Sequence, residues 1–115
     1  MNENKQLEMK IAALLGHKKA LCYLDSDAWA WRLLLRMGTT AQLVGMPDTN
    51  TWCCFAVARL PGPEDRVHAV HPCECESANA REAVCRTFMM WESLRQGLAR
   101  PEDFDNVAKF DNVEE

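Results

Sequence analysis

Residues 68–75 read "HAVHPCEC", which places two imidazoles and two thiols within a short span. Two chemistries would suit such a cluster. Zinc takes four nitrogen or sulfur ligands in a tetrahedron. A catalytic thiol needs a lowered pKa and a partner base. The spacing serves neither well. His71, Cys73 and Cys75 alternate with Pro72 and Glu74, so in an extended chain they share one face while His68 points away. They could converge on an ion only if the chain bent at Pro72, with Cys53 or Cys54 as a fourth ligand from a neighbouring strand. Glu74 and Glu76 flank Cys75, and negative charge raises a thiol's pKa. The stretch therefore reads as a strand end carrying packed thiols and surface imidazoles. No metal ligand, cofactor or catalytic residue is assigned, and the chain is expected not to be an enzyme. Asp25 and Asp27 form another potential pair, which helix capping explains more simply. No phosphate-binding loop, dinucleotide fingerprint or His-Glu-x-x-His pattern occurs.

These residues must be held by a chain of 115 amino acids, enough for one domain with a modest core. Apolar residues make up 48% and there are four tryptophans, so disorder is not expected. The start, "MNENKQLEMK", is polar and helix-compatible, and no leader is read there. No apolar run approaches the ~20 residues needed to cross a bilayer. The six cysteines include an adjacent pair, Cys53 and Cys54, and are expected to be reduced thiols behaving as small hydrophobes. Charge is uneven. Residues 101–115 hold Lys109 against Glu102, Asp103, Asp105, Asp111, Glu114 and Glu115, whereas the preceding body is near neutral. With no basic stripe, nucleic-acid binding is disfavoured.

Helical spacing puts Leu7, Ile11, Leu14 and Leu15 on one face, ended by Gly16. Asp25 or Asp27 is expected to cap a second helix, "DAWAWRLLLRM", whose inner face is Trp31, Leu34, Leu35 and Met37, widened by Trp29 and Leu33. Strands are expected at "TAQLVGM", "TWCCFAVARL" and "RVHAVHPC", the last stopped at Pro72. "PDTN" and "PGPED" are turns. The middle strand is apolar on both faces, which suggests a central strand or a sheet covered on both sides. A short fourth strand at "ALCYL" is also compatible with the pattern. Asn79 and Glu82 have capping-box spacing, with Ser77 as another cap, before a helix with a stripe of Ala80, Val84, Phe88, Trp91 and Leu94 or Arg95. Cys85 and Met89 border that stripe, and Gly97 closes it.

The expected fold is α+β: a three- or four-stranded, mainly antiparallel sheet packed by three helices, an alpha/beta sandwich spanning residues 1–98. Residues 99–115 form an acidic tail with two "FDNV" segments. Trp31, Trp52 and Trp91 are expected in the core. Trp29, beside Arg32 and Arg36, would make an interface anchor, since Trp and Arg are enriched in binding hot spots. Phe104, Asp105, Phe110 and Asp111 supply apolar and acidic contacts for a partner's groove.

The order of elements, with Ile11, Ala12, Leu15 and Gly16 in the first helix, Trp52 opening a strand, and Ala83, Val84, Cys85 and Arg86 in the last helix, resembles the phage ABA-sandwich domain family. The resemblance spans roughly residues 9–97. It departs after Gly38, where an additional strand replaces a polar link, and excludes the acidic tail. It implies a small bacteriophage or prophage accessory protein in the host bacterial cytoplasm. Such a protein would bind and inhibit or modulate a host or defence-system protein, as an anti-CRISPR-like inhibitor does. It transfers no catalytic residue. The alternatives are a structural or homo-oligomeric phage component, for which a homodimer is compatible, or a zinc-stabilised or thiol module centred on His68–Cys75.

Overall fold

The first helix, α1, is Glu3–Leu15, with Leu7, Ile11 and Ala12 buried and Gly16 (φ 76°) ending it. In the computed structural model, residues 3–19, 21–38, 41–61 and 70–104 are described. Helix α2 is Asp27–Arg36. Its cap is Ser26, between the two aspartates expected in that role: the Ser26 hydroxyl accepts the Trp29 N–H at 3.4 Å. Asp27 instead sits in the first turn, beside the positive end of the helix, and pairs with Arg81 at 2.8 Å.

The inner stripe of α2 is Ala30, Leu33, Leu34 and Met37. That phase turns Trp31 outward, about 100° around from Ala30. Trp31 is 56% exposed and Leu35 63%, so both leave the core expected for them. The small Ala30, not the large Trp31, faces inward because Leu33, Leu34 and Met37 fix the rotation of the helix.

Three strands follow: β1 Gln42–Met46, β2 Thr51–Arg59 and β3 Val70–Ser77. They form one antiparallel sheet in the order β1-β2-β3, with β2 central. The Pro47–Asn50 turn joins the first pair, and Asn50 takes the left-handed conformation (φ 56°) that Asn tolerates. Pro72 does not stop β3, which continues to Ser77 with Pro72 opposite Val57. The strand lies at the sheet edge, where a missing N–H need not break a ladder bond. The fourth strand that the pattern of residues 20–24 allowed is absent among the described residues. Tyr23 and Leu24 are adjacent and both buried, which breaks the period-two alternation of a strand.

The last helix, α3, is Ala80–Arg95. Asn79 caps it, accepting from the N–H groups of Arg81 and Glu82, and Ser77 Oγ accepts the Asn79 N–H. The expected stripe of Val84, Phe88, Trp91 and Leu94 is buried, joined by Ala83, Cys85, Thr87 and Glu92. This helix lies across β2 and β3, and α1 and α2 pack chiefly on it. The fold is therefore α+β, a three-stranded antiparallel sheet packed by helices.

One face of the sheet meets α3. On it β2 presents Cys54, Ala56 and Ala58, each fully buried. The opposite face carries Cys53, Phe55 and Val57, only half-buried, so the sheet is not covered on both sides among the described residues. Trp52 shares the inner parity but stands at the sheet's end, 41% exposed, against Gly45 and opposite Ser77. It too leaves the expected core, and Trp91 alone of the three expected there is buried.

Overpacking the small row should be costly. Ala56→Leu is expected to lower unfolding free energy by about 1–3 kcal/mol, read as a fall in the thermal midpoint by circular dichroism. Asn79→Ala should cost about 1 kcal/mol through the lost cap. Trp31→Ser should stay within about 0.5 kcal/mol, as an exposed position does.

Candidate functional site

The thiol-rich strand comes first, because its residue types promised chemistry. His71, Cys73 and Cys75 do share one face of β3, opposite Ala58, Ala56 and Cys54. That face is turned toward α3, and Cys73 is buried beneath it. The strand runs extended through Pro72 instead of bending there. Among the described residues no group of three or more His, Cys, Asp or Glu is placed to hold a metal ion. His68 lies outside the described residues.

All six thiols are free. Burial pushes the Cys73 thiol up to about 11 and the Cys85 thiol up to about 12. Cys53 rises to about 11 through burial and through donating its S–H to Glu74 Oε1 at 3.4 Å. Burial also raises Cys54 and Cys75; near Cys75, Arg86 opposes the rise while Glu82, Glu74 and Glu76 add to it. Thiols in this state are poor nucleophiles.

A second constellation is built on α2. Ser26 and Asp27 start the helix so that Trp29 leans over Tyr23, with ring centroids 6.2 Å apart and planes at 77°. One turn later the Arg32 guanidinium lies over the Trp29 ring, 4.6 Å from its centroid. Tyr23 in turn hydrogen-bonds His17 Nδ1 at 3.4 Å, just beyond α1. These side chains, with Leu15, Leu35 and Arg36, line an open groove of about 470 Å³ between the end of α1 and the side of α2.

Three of the residues singled out from sequence, Trp29, Arg32 and Arg36, thus meet in one groove. Their roles differ. Arg32 is exposed and stacked on Trp29. Arg36 reaches back to Glu92 at 3.3 Å, and Glu92 is buried, so Arg36 also neutralises a carboxylate in the core. Phe104 ends a short helical turn, 101–104, and packs half-buried against the core. Asp105, Phe110 and Asp111 lie outside the described residues.

Trp31 and Leu35 were missed as surface groups. They stand four residues apart on α2, which places them on the same side of the helix, one turn apart. The available signal was the i, i+3, i+4, i+7 spacing of Ala30, Leu33, Leu34 and Met37, which excludes both Trp31 and Leu35. Trp31 also borders a shallow depression with Leu43, Ala80 and Arg81.

No family model, no curated protein and no solved structure matches this chain. Among the described residues no helix is long and apolar enough to cross a membrane.

The raised thiols set a pH dependence. An unfolded cysteine titrates near about 8.5, so below that pH both states keep the proton and nothing is lost. Above it the unfolded chain releases a proton that buried Cys73 retains until about 11, so stability falls as pH rises through this window. Cys73 alone should contribute a loss of about 3 kcal/mol by its folded pKa. Urea midpoints measured from neutral pH upward should show the decline, and Cys73→Ala should make it shallower. At neutral pH a thiol reagent should label exposed Cys22 well before buried Cys54, Cys73 and Cys85.

Proposed function

We propose that the chain is a non-enzymatic accessory protein that acts by binding another protein through the outward side of α2. In line with the resemblance of its sequence, it is phage-encoded and inhibits or modulates a host protein in the bacterial cytoplasm, in the manner of an anti-defence inhibitor. The supporting observation is the exposure of Trp31 and Leu35 one turn apart on a helix that also carries Arg32 stacked on Trp29. A partner suited to this side has an apolar socket for Trp31 and Leu35 and carboxylates near Arg32. Large exposed aromatic groups beside Arg are the usual energetic centre of a protein interface. The burial and high pKa of the thiols favour packing over catalysis for them.

The full-length chain, immobilised and exposed to bacterial host lysate, should retain one stoichiometric partner. Trp31→Ala should weaken that complex by about 30-fold or more, a typical hot-spot loss. Arg32→Glu should weaken it further, with the far-ultraviolet dichroism of both variants unchanged. Arg36 is the poorer test site, because its loss strands buried Glu92. Retention of no partner, or equal retention by Trp31→Ala and Arg32→Glu, would overturn the reading.

A further inference from the structure

A second surface lies on the sheet, on the side away from α3. In an antiparallel sheet with one face in water, the outward positions are ordinarily polar. Here the sizes are reversed. Central strand β2 turns its small residues, Cys54, Ala56 and Ala58, toward the helix and its larger Phe55 and Val57 outward. Pairing register places Val44 and Met46 of β1, and Val70 and Pro72 of β3, on that same outward face. Val44 is 48% exposed and Val70 62%, while Phe55 and Val57 are half-buried only by their neighbours. Gln42 and Glu74 flank Phe55 on this face and Glu76 flanks Cys53, but the remaining outward positions named are apolar on all three strands, and such a face is built to be covered.

Charge identifies the cover. Arg59 is exposed on the outward face at the end of β2, Glu76 is exposed on it beside Cys53 near the beginning of that strand, and Glu74 lies between them beside Phe55. The face therefore has a cation at one end and an anion, Glu76, at the other, with Glu74 on the β3 side of its middle. A surface with that pattern is complementary to itself when turned through 180°. We infer that the outer face of the sheet is a two-fold interface onto which a second copy of this chain packs face to face, Arg59 of each copy meeting Glu76 of the other. A two-fold axis crossing β2 near Ala56 lays each β2 antiparallel on the other and brings Glu76 of each copy to the Arg59 end of the other, with the two Glu74 side chains nearer the axis. The chain's own C-terminal segment is the rival cover. Asp105, Asp111, Glu114 and Glu115 against Lys109 make it acidic, and on this face it would meet two carboxylates, Glu74 and Glu76, for one cation, Arg59.

Area sets the strength. Strand β2 has 9 residues. At about 3.3 Å per residue and about 4.8 Å between strands, the face covers roughly 400 Å². That is about half of the ~800 Å² per partner in a standard stable interface. The dimer should therefore form at high protein concentration and dissociate on dilution.

Sedimentation of the full-length chain over a range from about 5 to about 500 µM, where an interface of this size should titrate, tests the inference. The expected result is a monomer–dimer equilibrium. Val57→Glu should lower the association constant at least tenfold, with unchanged helical dichroism. Arg59→Glu should also lower it, and adding Glu76→Arg should restore it, a gain that misfolding cannot mimic. A monomer at every concentration would overturn the inference. So would a dimer that survives Val57→Glu, a dimer abolished by Trp31→Ala, or nuclear Overhauser contacts from Phe110 to Phe55 within a monomer. Because Val57 is remote from α2 in the chain's layering, Val57→Glu should still retain the partner captured through Trp31, which separates this interface from the proposed function.

Discussion

The row of Cys54, Ala56 and Ala58 decides how the rest of the chain is arranged. Without large side chains on that face, α3 settles close enough for its polar groups to reach the β2 backbone. Thr87 Oγ1 donates to the Cys54 carbonyl at 3.2 Å, and Trp91 Nε1 donates to the Val57 carbonyl at 3.0 Å. Thr87 and Trp91 are four residues apart, one turn of the same face. Each would be a buried donor left unsatisfied if the helix slid along the strand. Small side chains permit the approach, and the two hydrogen bonds fix its register.

The same helix then positions the other two. Leu24, just before α2, is held from both sides. Its N–H donates to Glu8 Oε2 of α1 at 3.1 Å, and its carbonyl accepts from Arg81 Nε of α3 at 2.7 Å. At the far end of α2, Arg36 pairs with buried Glu92, to which Arg95 also approaches at 3.6 Å. Helix α2 is thus clamped at its entry and its exit by α3, and its rotation is set between those points by Leu33, Leu34 and Met37. The outward direction of Trp31 and Leu35 follows from those clamps. A buried carboxylate with Arg partners is costly to disturb on one side only, which makes Arg36 structural as well as peripheral.

Element order and strand pairing were legible because they rest on short-range signals. Turn residues at Pro47–Asn50, the Asn79 cap and the stripe from Val84 to Leu94 act within a few residues of themselves. Burial of individual large residues was less legible. Trp31 and Trp52 were placed inside on size alone, whereas helix phase excluded the first and the sheet's end excluded the second. Both faces of β2 read as apolar, and nothing in period-two alternation says which one a helix will choose. That choice depends on matching small residues to a helix more than twenty positions later in the chain. Glu8 and Glu92 were not foreseen because a buried acid is recognised by its partners, and Leu24 and Arg36 are distant in sequence. Pro72 misled for a simpler reason: its effect depends on whether the strand is an edge.

The distribution of apolar mass bears on function more directly than any motif does. Of the four tryptophans, only Trp91 is buried in the core, and Trp29 is half-buried at a groove. Cysteine and alanine fill the layer where the sheet meets α3, and their small size is what lets the helix approach the strand. Other large groups lie on two outward surfaces, one with Arg32 beside Trp31 and one with Arg59, Glu74 and Glu76 around Phe55 and Val57. Sulfur in this setting serves as a compact apolar spacer. Its thiols are pushed away from the ionised form that nucleophilic or ligand chemistry would use. Two outward surfaces on opposite layers of one small fold suit two different contacts more than one, with α3 between them.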